Sequence, residues 1–248
     1  MRFRTPSIKV LWLLCLAAFC ICLPAQAQTV TVTGTVEVTK SGSQKNPPSS
    51  ADVAVWLTPV GESHSATTPV SLPKKKFTLL QKNKTFEPHV LVLPAGSEVD
   101  FPNKDPFFHN VFSLFDGKRF DLGLYEAGVS KSLRFDRPGI SFLFCNIHSE
   151  MSAVVIALDT PYYGTSNRLG KVTIADVPPG KYVLHVWREG SSPESLKALS
   201  RQIVVSDDSS SLGKLSMADN AALPMAHKNK YGKDYENPTP AGAVYNQP

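Results

Sequence analysis

Cys145, His148 and Met151 fall at a C-x2-H-x2-M spacing, and His109 stands upstream in Phe107-Phe-His-Asn-Val111. Together they offer a thiolate, two imidazoles and a thioether. That donor set is the one a type 1 copper site uses, with His2Cys in a trigonal plane and a long, weak axial Met. Cys, His and Met are each rare, so this spacing arises by chance roughly once in a thousand chains of this length. The competing reading is a buried, inert cysteine acting as a small hydrophobe, two surface histidines and a core methionine. Three of the four cysteines, Cys15, Cys20 and Cys22, lie near the N-terminus in a segment that reads as a removable leader. Cys145 is then alone, which is unusual for an exported chain, because oxidising compartments use cysteines in pairs. A bound copper ion would hold it as thiolate and remove it as an oxidation target.

The leader has three parts: Arg2, Arg4 and Lys9, an apolar run from Val10 to Leu23, and Pro24-Ala-Gln-Ala27 with small residues at the cleavage positions. Residues 1–27 therefore read as a secretory signal peptide, and the chain as periplasmic or secreted. The run is too short to span a bilayer comfortably. Phe19 and Ile21 stand before Cys20 and Cys22 where a lipid-anchor signal wants small residues. Three of the 26 basic residues go with the leader, leaving 23 against 21 acidic ones. Neither a nucleic acid nor a membrane is implied as partner by that balance.

The elements that must position the four donors are strands. Ser141–Phe144 reads as a strand ending at Cys145, the next six residues as a tight loop, and Ala153–Leu158 as the following strand. One loop thus wraps three donors around one point, with His109 supplied by a neighbouring strand across the sandwich. Further strands read at Thr29–Thr39, Val53–Leu57, His89–Leu93, Glu98–Phe101, Ser132–Phe135, Lys171–Ile174, Tyr182–Trp187 and Gln202–Val205, with Pro/Gly turns between them. Ser191–Leu199 reads as one short helix. From Ser206 the chain becomes polar, and residues 207–248 read as a mobile, disordered tail in which His227 is solvated. His89 and His185 read as ordinary, partly exposed strand residues.

Over Lys76 to Asp159 the chain resembles the cupredoxin, or blue-copper, family, and its amicyanin-like and plastocyanin-like members most closely. The resemblance is carried by the C-x2-H-x2-M loop, by Thr85-Phe-Glu-Pro-His-Val90 and by Val99-Asp-Phe-Pro-Asn103. It implies a Greek-key β-sandwich, one type 1 copper, ligands His109, Cys145, His148 and Met151, and an Asn103 that knits the two ligand loops together by hydrogen bonds. Relatives often place Pro and apolar residues between the second His and the Met, whereas Ser149-Glu150 here implies a more polar docking face. Phe107 and Phe108 are the alternative apolar contacts, unless an alternating strand buries one of them.

Ser166-Asn-Arg-Leu-Gly-Lys-Val-Thr-Ile174, Val177-Pro-Pro-Gly-Lys-Tyr182 and Val32-Thr-Gly-Thr-Val36 resemble the carboxypeptidase regulatory-like, transthyretin-like sandwich. Chains that combine the two modules resemble methylamine-utilisation-like proteins. The expected architecture is all-β: residues 28–72 and 160–206 form a small discontinuous sandwich, with a cupredoxin domain, 73–159, inserted between its strands. The resemblance implies a one-electron carrier with a redox protein partner and no catalysed reaction. The alternative is a copper storage or delivery protein with a copper acceptor, or a partner-binding β-sandwich without electron transfer.

Overall fold

The computed structural model describes residues 28–39, 48–61, 76–114, 117–218 and 227–235. The leader, with its cleavage site, lies outside the described residues. The chain opens with β1 (Val30–Thr39) and β2 (Ala54–Pro59). It continues with β3 (Phe77–Thr78), the hairpin β4 (Leu80–Lys82) and β5 (Thr85–Glu87), then β6 (Val90–Pro94), β7 (Ser97–Pro102) and β8 (His109–Ser113). Next come β9 (Phe120–Tyr125), β10 (Ser130–Phe135), β11 (Gly139–Phe144) and β12 (Ser152–Leu158). The last elements are β13 (Tyr163–Thr165), β14 (Lys171–Val177), β15 (Gly180–Trp187), helix α1 (Pro193–Leu199), β16 (Arg201–Val205) and β17 (Ser211–Ala218). The fold is all-β, as expected, with the short helix where the sequence predicts it. Ser192 caps that helix by accepting from the Ser195 N–H, and Pro193 sits at its first position, where no amide donor is needed.

Strands β6-β12-β11-β8-β9 form one sheet and β10-β7-β3 another. Neighbours in these sheets are rarely consecutive in sequence, so the chain repeatedly crosses from one sheet to the other in Greek-key fashion. Between the sheets lie Phe77, Leu79, Leu93, Val99, Phe101, Val111, Phe135 and Leu143, all buried, with Cys145 and Met151 at one end of the cluster. A second pair of sheets, β14-β1-β17 and β13-β2-β15-β16, encloses Val32, Val36, Leu57, Ile174, Tyr182 and Leu184. Strands before residue 60 therefore pair with strands after residue 160, and β3 to β12 intervene as a closed unit.

The two sandwiches meet face to face. In β12, Ala153, Val155 and Ala157 point into the first core, while Val154, Ile156 and Leu158 pack with Val90, Val92, Ala54 and Trp187 in a third apolar layer. This double burial explains why Ala153-Val-Val-Ile-Ala-Leu158 is a continuous apolar run rather than an alternating one. Each such aliphatic side chain removed from water contributes about 1.5–3 kcal/mol before entropy is counted. His89 adds a polar tie across the seam, 2.5 Å from the Glu189 carboxylate.

The mobile tail expected over 207–248 is corrected at two described stretches: His227 stacks on Phe144 instead of lying in solvent, and a strand forms before it. Ser211–Ala218, read from sequence as part of a mobile tail, is a strand that pairs in parallel with β1. Leu212, Leu215 and Met217 are buried in the second core. The alternation that would announce the strand is broken by one residue at Gly213, whose φ of 68° lies in the left-handed region. The pairing register shifts there, as in a β-bulge, so the inward set moves from Leu212 to Leu215.

Candidate metal centre

Strand β8 carries His109 on its first residue, and β11 ends one residue before Cys145. After Cys145 the chain turns tightly, with the Met151 N–H donating to the His148 carbonyl and the Cys145 N–H to the Met151 carbonyl. The loop is thus pinned at both ends by β11 and β12, which are paired from Gly139–Ala157 to Phe144–Ser152. The Nδ1 atom of His109 lies 3.8 Å from Cys145 Sγ, and that of His148 lies 3.6 Å away. The three donor atoms fall within 4.8 Å of one another. Met151 is fully buried in the same cluster as Cys145.

These separations suit a metal. An ion that binds thiolate at about 2.3 Å and imidazole at about 2.0–2.1 Å, with bond angles between tetrahedral and trigonal, sets nitrogen and sulfur roughly 3.5–3.8 Å apart. The sulfur also receives backbone N–H groups from Ile147, Asn110 and His148. Three donors aimed at one sulfur suit an anionic thiolate far better than a neutral thiol. Burial nevertheless pushes the Cys145 thiol up, outweighing those N–H groups, so the metal-free chain keeps its proton. A cation is what would release it. Burial, and the neighbouring His109 and Lys84, hold His148 below the ordinary imidazole value, which leaves its ring lone pair free at neutral pH.

His109 is fully buried, and its Nε2 stands 2.7 Å from the Asp105 carboxylate. Asp105 also accepts from the Asn83 N–H at 2.7 Å and the Lys84 N–H at 2.9 Å. Asn83 and Lys84 both have positive φ and form the two-residue turn of the β4–β5 hairpin. Asp105 therefore joins that turn to His109, and it fixes the ring with Nε2 protonated and Nδ1 facing the sulfur. Burial raises its pKa, but the N–H groups of Lys84 and Asn83 and the His109 ring outweigh burial and leave it below the usual carboxylate range. The sequence reading missed Asp105. Its position four residues before His109 is the one available signal, and the turn that completes its role lies far away in sequence.

Asn103 is buried, and its amide donates to the Phe107 carbonyl at 2.8 Å and the Tyr125 carbonyl at 3.4 Å, while its Oδ1 accepts from the Asp105 N–H. These bonds order the His109 side of the centre. The link across to the Cys145 loop comes instead from the backbone of Asn110, whose N–H reaches Sγ. The Phe107 ring is half-buried, 5.2 Å from His109 and 5.6 Å from His148, and Phe108 is 46% exposed. Neither is taken into the core, because both precede β8 rather than alternate within it.

No family model matches the chain, and neither does any curated protein. Among solved structures it is similar to a purple cupredoxin from Nitrosopumilus maritimus, at 20% identity over 33% of this chain and 99% of that one, with a TM-score of 0.30. An amicyanin variant in its Cu(I) form is 17% identical over 34% of this chain and 82% of that one, with a TM-score of 0.32. The copper-containing nitrite reductase of Thermus scotoductus is 23% identical over 42% of this chain, with a TM-score of 0.33, and the chain spans 26% of its length.

Proposed function

We propose that this chain is an exported type 1 copper protein that binds one copper ion and passes single electrons between redox proteins, with no substrate turned over. The observation that carries this reading is the convergence of His109 Nδ1, His148 Nδ1 and Cys145 Sγ at spacings that fit one ion. Copper bound there would alternate between Cu(I) and Cu(II), holding or releasing one electron.

The protein's own contribution is to keep the donors still. Cys145 supplies the thiolate, and the N–H groups of Asn110, Ile147 and His148 stabilise its negative charge. Asp105 holds the His109 ring in one tautomer, the usual task of a carboxylate behind a metal-bound imidazole. Met151, buried in the same core cluster as Cys145, would be the weak fourth donor. His148 is half-exposed and gives the electron its route to the surface, beside Ile147 at 38% exposure. The inserted cupredoxin domain and the discontinuous outer sandwich, 28–72 and 160–206 extended through β17, are two units sharing one seam. No helix among the described residues is long and apolar enough to cross a membrane.

The test is to express residues 28–248 in a periplasm, load copper and record visible and electron paramagnetic resonance spectra beside Cys145→Ala. An intense thiolate-to-copper band with narrow hyperfine splitting, lost in the variant, is expected. A colourless wild type, or spectra indifferent to the substitution, overturns the reading.

A further inference from the structure

Residues 227–235 lie across the Cys145–Met151 loop, far in sequence from the strands that carry it. Three anchors hold them. The Tyr235 hydroxyl donates to the Cys145 carbonyl at 2.7 Å. The Lys230 N–H donates to Asn146 Oδ1 at 3.0 Å, while its ammonium sits 2.8 Å from Asp121 at the edge strand β9. His227 Nε2 lies 2.9 Å from the Ser149 carbonyl, its ring stacks on Phe144 at 3.9 Å, and its Nδ1 is 3.1 Å from the Tyr235 hydroxyl. Between the anchors the segment braces itself. Asn229 Oδ1 accepts from the N–H groups of Tyr231 and Lys233, and Gly232, at φ 73°, turns the chain back.

We infer that this segment is a strap that positions the metal ligand Cys145, with Tyr235 as the positioning residue and His227, whose ring packs edge-on against Tyr235 at 5.2 Å, as the residue that holds Tyr235 in place. The inference rests on the copper reading proposed above and assigns a role to side chains outside the ligand set. The Cys145 carbonyl belongs to the peptide that leads into Asn146, and its orientation sets the turn in which the Ile147 and His148 N–H groups point at Sγ. A hydroxyl fixed on that carbonyl holds the turn and therefore the hydrogen bonds on sulfur. Those bonds stabilise the electron-rich thiolate, and they matter most when the centre carries the extra electron. Freeing the carbonyl loosens them, favours the oxidised state and lets the loop open.

The strap also adds to the cover of one large side chain: Phe144, 6.0 Å from Phe112, is 2% exposed, and the His227 ring stacks on it.

The experiment compares the full mature chain with Tyr235→Phe, which removes only the hydroxyl, and His227→Gln, which keeps a donor for Ser149 but loses the stacked ring. In the metal-free protein, amide hydrogen exchange at Ile147 and His148 should quicken by about tenfold in Tyr235→Phe. Amides in β14 and β15 should not change. In the copper-loaded protein, the oxidised-to-reduced ratio at a fixed external potential should rise at least threefold in Tyr235→Phe and by less in His227→Gln. Unchanged exchange and an unchanged ratio in both variants would show that residues 227–235 merely rest on the surface. A wild type without the thiolate-to-copper band would remove the copper reading, while the exchange measurement would still decide whether the strap holds the loop.

Discussion

His109 reaches the centre from inside a sandwich, where Asp105 grips its far nitrogen and no part of the ring meets solvent, whereas His148 reaches it from a surface loop. The first imidazole is fixed by the core, by a hairpin turn and by a carboxylate below its usual range. The second is half-exposed, and its loop is steadied from outside by a segment that arrives from the other end of the chain. Rigidity and access are thus divided between the two ligands. On the electron-carrier reading proposed above, one side would fix geometry so that gain and loss of charge need little movement, and the other would keep a ring at the surface within reach of a partner.

Removing the inner ligand should have the largest effect. His109→Ala leaves a cavity and strips the ring donor from the buried Asp105 carboxylate, which keeps only the Asn83 and Lys84 N–H groups, so the metal-free chain should lose about 2–4 kcal/mol in denaturant unfolding. The matching His148→Ala should cost less than about 1 kcal/mol. Equal losses would mean the two sides are braced alike. Asp105→Asn leaves one oxygen where the Asn83 N–H uses one and the Lys84 N–H and His109 Nε2 share the other, so it weakens both the hairpin turn and the hold on His109. Copper affinity should fall about 10–100-fold, read by competition with a chelator.

The smallest effect belongs to the outer brace under acid and salt. Burial raises the Asp121 carboxyl, but hydrogen bonds from Lys230, Gly123 and Asn110 outweigh it and leave the pKa lowered. A depressed folded pKa means that its contribution is present above the unfolded value, near 4, and is lost as the pH falls through the folded value. Lys230 and Asp121 are partly exposed, so added salt should weaken the same contact at neutral pH. Exchange at the loop amides should therefore quicken slightly in 1 M salt, and Lys230→Ala should abolish that sensitivity. A salt response that survives the substitution would place it elsewhere.

The four candidate donors could be picked out of the sequence because three share one short loop and all are rare types; of these the structure gathers His109, Cys145 and His148 around one point. The strands flanking that loop, β11 and β12, were equally legible from their apolar runs. Asp105 was not, because an aspartate before a Pro reads as loop, and its function exists only once Asn83 and Lys84 are folded against it. Strand β17 was hidden by the bulge at Gly213, which puts Lys214 where period two wants an apolar residue. The strap was hidden by composition. His227, Lys230 and Tyr235 lie in a stretch as polar as any linker, and what holds them are single contacts to Ser149, Asn146 and Cys145 rather than an apolar face of their own.

The double burial of β12 bears on whether the two sandwiches can be separated. Val154, Ile156 and Leu158 pack with Ala54 and Trp187 of the outer sandwich and with Val90 and Val92 of β6. Residues 76–159 cut out alone would carry a wet hydrophobic face on the strand that begins one residue after Met151, and would stick to copies of themselves. A graft of that unit into another scaffold would first have to repaint Val90, Val92, Val154 and Ile156 with polar residues.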